Sequence, residues 1–158
     1  MVVLDVFTRR IIGFGDIHGV AVCRMLSHAV AKQTLPKHAS TDNDPLFRFQ
    51  RWLANLRILD IEEPKAVPFV PQPHPFVERV IDTLRCEYLD HLFFWNGTDL
   101  EWKLLSYRDY YNEHRCHTGL SGETPNGYGT GKAAPRATIG SYEWTSHCHG
   151  MFQLPVAA

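Results

Sequence analysis

No surplus of positive charge runs through this 158-residue chain: sixteen Lys and Arg face seventeen Asp and Glu, a formal net charge of -1 with histidine neutral. The general attraction to phosphates that a basic surface provides is therefore missing, and any polyanion contact is expected to be local or helped by parts of a longer protein. Long apolar runs are missing too. The Met1 to Leu4 opening soon meets Asp5, Arg9 and Arg10, which excludes a signal peptide or membrane span there and makes the cytoplasm the expected location. Cys23, Cys86, Cys116 and Cys148 lie far apart with no CxxC pair, so reduced thiols are expected in place of a disulfide framework or a four-thiolate site. The denser donor run is His147-Cys148-His149. Three consecutive residues cannot easily surround one ion, so a polar tail segment is the leading reading and zinc the alternative. No serine sits in a GxSxG elbow, and Gly129, Gly131 and Lys132 lack the GxxxxGK[ST] spacing, which excludes those hydrolase and nucleotide signatures. Nor is there an internal repeat, a helix-turn-helix or a zinc finger to read bases.

What is present is ordinary globular material, 44% hydrophobic and 21% charged, too apolar to remain disordered and sized for one domain. Val2 to Phe7 and Ile11 to Ile17 are β-branched runs around Thr8-Arg9-Arg10 and predict a hairpin. From Val20 to Gln33, Val22, Met25, Leu26, Ala29 and Val30 recur at helical spacing, and Pro36 ends the element. Lys37 to Thr41 reads as a short strand delivering Asp42 at its carboxyl end. Asp44-Pro45 supplies an N-cap and a first helical residue for a helix carrying Leu46, Phe49, Leu53 and Leu56, and Ile58, Leu59 and Ile61 suggest another short strand. Five prolines from Pro64 to Pro75 predict a surface loop. The strongest helix follows, with Val77, Val80, Ile81, Leu84 and Tyr88 on one face and Glu78, Asp82 and Arg85 on the polar one. Thr98 and Glu101 have capping-box spacing before a last helix through Asn112, with Leu104, Tyr107 and Tyr111 inward. Residues beyond Gly119 are rich in Gly, Pro, Thr and Ser. The order implies a mixed α/β domain with its site where strand ends meet helix starts.

Two carboxylates stand out in that arrangement. Asp42 ends an inferred strand, Glu78 lies in the first turn of the best helix, and thirty-five residues separate them. Two hard anionic oxygen ligands suit Mg²⁺ or Mn²⁺, which can polarise a phosphodiester and activate water. The blander reading competes: surface carboxylates are common, and one near a helix N-terminus is favoured by the dipole anyway. Asp5, Asp16 and Asp44 are further acidic positions, Asp44 reading as a cap.

Four segments then resemble, in order, the integrase core of bacterial insertion-sequence transposases. VVLDVFTRRIIGF is similar to its second and third strands, TDNDPLF to the segment with its second catalytic aspartate, HPFVERVIDTLRCEYLD to its glutamate-bearing helix, and YYNEHRCHTGLSGETP to its terminal signature. The resemblance covers about residues 2 to 125. It implies an α/β, ribonuclease H-like fold, a mixed sheet flanked by helices, with residues 1–125 as a partial catalytic core and 126–158 as an irregular extension. It assigns Asp42 and Glu78 as the second and third acids of a DDE site for Mg²⁺ or Mn²⁺ and Arg85 as a DNA-backbone contact. Complete relatives cut DNA phosphodiesters and transfer strands in integration and recombination.

The departures are equally specific. The family's first aspartate sits on a strand upstream of VVLDVFTRR, so Asp5 does not match it, the first central strand is missing and the fold is expected to be incomplete, with bare strand edges. Asp44 stands where Gly is usual, and His74 where an Asn-rich turn is common. A degenerate fragment, a misplaced start, and a piece completed by another polypeptide or by other transposase subunits all fit. The expectation is a chain inactive alone that binds DNA weakly and without sequence preference; the alternative is a non-catalytic DNA-binding or assembly fragment. Arg115, His117, Tyr110, Tyr111 and Asn112 read as packing and hydrogen-bonding residues of the last core helix.

Overall fold

The computed structural model describes residues 1–15, 19–31, 34–42, 44–64, 74–131, 138 and 140–157. They form two compact units: Met1–Leu4 with Ile12–Asp90, and Asp5–Ile11 with His91–Ala158. The expected strand end at Ile17, Asp16, the helix end at Gln33 and most of the proline-rich loop, 65–73, lie outside the described residues.

The first unit starts with β1, Val2–Leu4, paired with β2, Ile11–Phe14. The first strand stops earlier than the β-branched run suggested because Asp5 turns the chain: one carboxylate oxygen accepts from the Phe7 amide at 3.0 Å and the other from the Thr8 hydroxyl at 2.6 Å. That is an Asx-type turn, and it occupies Asp5 structurally. Helix α1, Gly19–Val30, buries Val22, Leu26 and Val30 at the expected spacing. Asp44 caps the short 3₁₀ turn Pro45–Arg48, accepting from the Leu46 amide at 2.8 Å. Because that turn precedes helix α2, Gln50–Ile58, the apolar stripe is rotated: Trp52 and Leu56 are buried while Leu53 is exposed.

The two short strands expected at 37–41 and 58–61 contract to a single parallel bridge between His38 and Glu62. Helix α2 runs through Ile58, and the chain then reverses at Asp60, whose φ is 54°. Asp60 N donates to Arg57 O at 3.2 Å and Ile61 N to Leu56 O at 3.0 Å, the paired bonds of a Schellman ending. Its characteristic apolar contact is here too: Leu56 and Ile61 join Val22, Leu26, Val30 and Trp52 in one buried cluster. Helix α3, Pro75–Glu87, agrees with its periodicity and buries Val80 and Leu84, with Tyr88 fully enclosed just after it.

In the second unit helix α4, Gly97–Glu113, begins before Thr98, because Asn96 and not Thr98 is the cap: its side chain accepts from the Asp99 amide at 2.8 Å. Asp99 in turn accepts from Lys103 at 2.8 Å and from the Trp95 amide at 3.0 Å, and the Lys103 ammonium holds its carboxyl below the ordinary range. Tyr107, Tyr110, Tyr111 and Asn112 are buried. Asn112 accepts from the Ile11 amide at 2.9 Å and donates to the Ile11 carbonyl at 2.8 Å. A side chain thus satisfies the strand backbone there, as a neighbouring strand would.

The 142–157 stretch, expected as irregular, is an antiparallel hairpin of β3, Tyr142–His147, and β4, Phe152–Ala157, with His147 opposite Phe152. The sequence signal was masked because both faces are largely exposed, which erases the usual alternation. Phe152 anchors it by stacking on Tyr110 with ring centroids 4.3 Å apart and planes 4° from parallel. Among the described residues the strands therefore form two separate two-stranded sheets, β1-β2 and β3-β4, and no larger mixed sheet.

Candidate functional site

Asp42 is exposed and follows the bridge at His38; one of its oxygens accepts from the Asp44 amide at 3.3 Å. Glu78 is exposed in the first turn of α3. What joins the two segments is His74. This residue precedes Pro75 without capping the helix through its side chain, and its ring Nε2 instead meets the Thr41 carbonyl at 3.2 Å. Thr41 also bonds the Glu63 carboxylate through its hydroxyl. The residue before Asp42 is thus tied to the residue that starts the Glu78 helix, across thirty-three positions of sequence.

His74 was legible in the sequence only as a departure from the Asn-rich turn of the resembling family. No spacing rule indicates a bond from an imidazole to a backbone carbonyl in another segment. Asp44, the other departure, is spent on the 3₁₀ cap. Asp5 is spent on its turn.

Arg85 is exposed in the last turn of α3, seven residues beyond Glu78. Seven residues are two turns, so both project from a similar side of the helix. A carboxylate in the first turn and a guanidinium in the last also match the helix dipole, a purely structural benefit.

The donor chemistry of Asp42 and Glu78 fits a hard divalent cation, since both offer anionic oxygens. Their number falls short of three: among the described residues no group of three His, Cys, Asp or Glu side chains is arranged to hold an ion. No described helix is long and apolar enough to cross a membrane.

Three comparisons bear on this arrangement. Residues 63–125, which include Glu78, Arg85 and the YYNEHRCHTGLSGETP segment, match the family model described as integrase core domain. Asp42 lies outside that match. No curated protein matches the chain. Among solved structures, the crystal structure of the catalytic core domain of BIV integrase is similar with a TM-score of 0.58 and 20% identity, over 79% of this chain and 80% of that one. The helices and small sheets of this chain accordingly make a mixed α/β fold similar to that of an integrase catalytic core, and its residues 63–125 are similar to the integrase core domain family.

Proposed function

We propose that this chain is a partial DDE-type transposase or integrase catalytic domain, with residues 1–125 as the core and DNA as its partner. The single observation that carries the reading is the bond from His74 to Thr41, which draws the segment of Asp42 to the start of the Glu78 helix. In this reading Asp42 and Glu78 hold Mg²⁺ or Mn²⁺. Such an ion, when bound, polarises a phosphodiester and lowers the pKa of an attacking water. Arg85, two turns along the same helix, positions the DNA backbone by a charge-assisted bond to phosphate. No covalent protein nucleophile is needed.

Two acids without a third leave the ion incompletely held, so the chain by itself has little nicking or strand-transfer activity. The test is a supercoiled-plasmid nicking and strand-transfer assay in Mg²⁺ and Mn²⁺. Background-level turnover is expected. Robust activity abolished by Asp42→Ala or Glu78→Ala would overturn the reading of an incomplete site and point to a substitute acid. The absence of a three-donor group among the described residues favours a second reading, a non-catalytic DNA-binding or assembly fragment. DNA retention that is indifferent to both substitutions and to divalent ions would select it.

A further inference from the structure

The His147-Cys148-His149 run takes no part in the DNA reading, yet the fold gives it a neighbour that the sequence did not. The β3-β4 turn packs against the end of α4, and an open cleft of about 350 Å³ forms there, lined by Asp109, Tyr110, Glu113, His114, His147 and Cys148 among others. The His114 and His147 rings lie with centroids 4.1 Å apart and planes tilted by 40°. Glu113 brings a carboxylate oxygen to 3.7 Å from His114 Nε2. His147 Nε2 is buried and has no hydrogen-bond partner.

We propose that this cleft binds a zinc-class divalent cation through His114 and His147, with water completing the coordination. Imidazole nitrogen suits Zn²⁺, Cu²⁺ and Ni²⁺, whereas the carboxylates Asp42 and Glu78 suit Mg²⁺. Each feature of the cleft has a part in that chemistry. A buried ring nitrogen without a partner is the kind of group an ion or ordered water satisfies. A carboxylate beside a ligating histidine fixes the ring and its tautomer, the role open to Glu113.

The turn itself is held in an unfavourable backbone state. Cys148 and His149 have φ of 51° and 58°, ahead of Gly150 at 89°, and only glycine occupies that region without strain. Two imidazoles on one tetrahedral ion, at Zn–N distances of about 2.0–2.1 Å, put their ring centroids roughly 5 Å apart. Loading therefore opens the pair by about 1 Å, within reach of side-chain rotation.

The experiment titrates the full chain, stripped with chelator, at neutral pH with Zn²⁺ by calorimetry and with Co²⁺ by visible absorption and proton NMR. One ion per chain is expected, with shifted imidazole signals from two histidines and no competition from excess Mg²⁺. His114→Gln and His147→Gln should each weaken Zn²⁺ binding at least tenfold, while Asp42→Ala/Glu78→Ala leaves it unchanged. If one histidine variant fails to fold by circular dichroism, the other decides. If both fail, the wild-type Co²⁺ spectrum decides, and the absence of two shifted imidazoles overturns the site. Absence of Zn²⁺ binding by the wild type, equal binding by both histidine variants, or loss of binding with the Asp42/Glu78 pair overturns it as well.

Discussion

Replacing Asn112 with alanine removes a two-way bond between the last helix turn and a strand 101 residues away in sequence. Asn112 is 5% exposed and Ile11 1% exposed, so water does not readily take over. The substitution strands one buried donor, the Ile11 amide, and one buried acceptor, its carbonyl. Each such group costs about 1–3 kcal/mol when left unsatisfied, so the pair sums to roughly 2–6 kcal/mol, a large share of a stability of about 5–15 kcal/mol. At about 2–4 °C per kcal/mol for a chain of this size, the midpoint should fall by roughly 4–24 °C. Thermal and urea unfolding measure the loss, and amide exchange locates it: the Ile11 amide should lose protection before amides in α3. Asn112→Asp should be at least as damaging near neutral pH, because it keeps the acceptor, removes the donor and places a buried charge against the Ile11 carbonyl. If Asn112→Ala unfolds within about 0.5 kcal/mol of wild type, the bond is not holding the strand and the reasoning fails.

Asp60 occupies a left-handed position normally given to glycine, so Asp60→Gly should raise stability in urea unfolding by roughly 0.5–1 kcal/mol; a loss would refute the Schellman assignment. Burial and His114 hold the His147 imidazole below its ordinary value of 6.5. Its stabilising contribution is therefore present above about that pH and is lost as pH falls through the folded-state value. The midpoint of wild type should drop from pH 7.5 to 5 more steeply than that of His147→Gln, and parallel curves would contradict this. DNA binding, measured by fluorescence anisotropy, should be weak, salt-sensitive and alike for unrelated duplexes, with Arg85→Ala reducing all of them by similar factors. Unchanged binding in Arg85→Ala would remove that residue from the interface, and tight discrimination between duplexes at fixed salt would rule out a backbone-only mode.

Features governed by neighbours along the chain were determined by sequence alone. The spacing of Val80, Leu84 and Tyr88 set the buried face of α3, since side chains three and four apart share a helix face whatever surrounds them. Asp44-Pro45 set its own cap, because an aspartate oxygen reaches an amide two residues on. The ordered motifs identified the integrase-core kind of fold, which the structural similarity bears out.

Tertiary structure decided what local periodicity cannot encode. Which helix stripe is buried in α2 depended on a preceding 3₁₀ turn, so Trp52 went in and Leu53 stayed out. Two expected strands became one bridge because the helix ended in a left-handed residue that redirected the backbone. The links from His74 to Thr41, from Asn112 to Ile11 and from His114 to His147 join segments distant in sequence. Each needs a side chain and a partner brought within a few ångströms by packing, and packing depends on the shape of the assembled core.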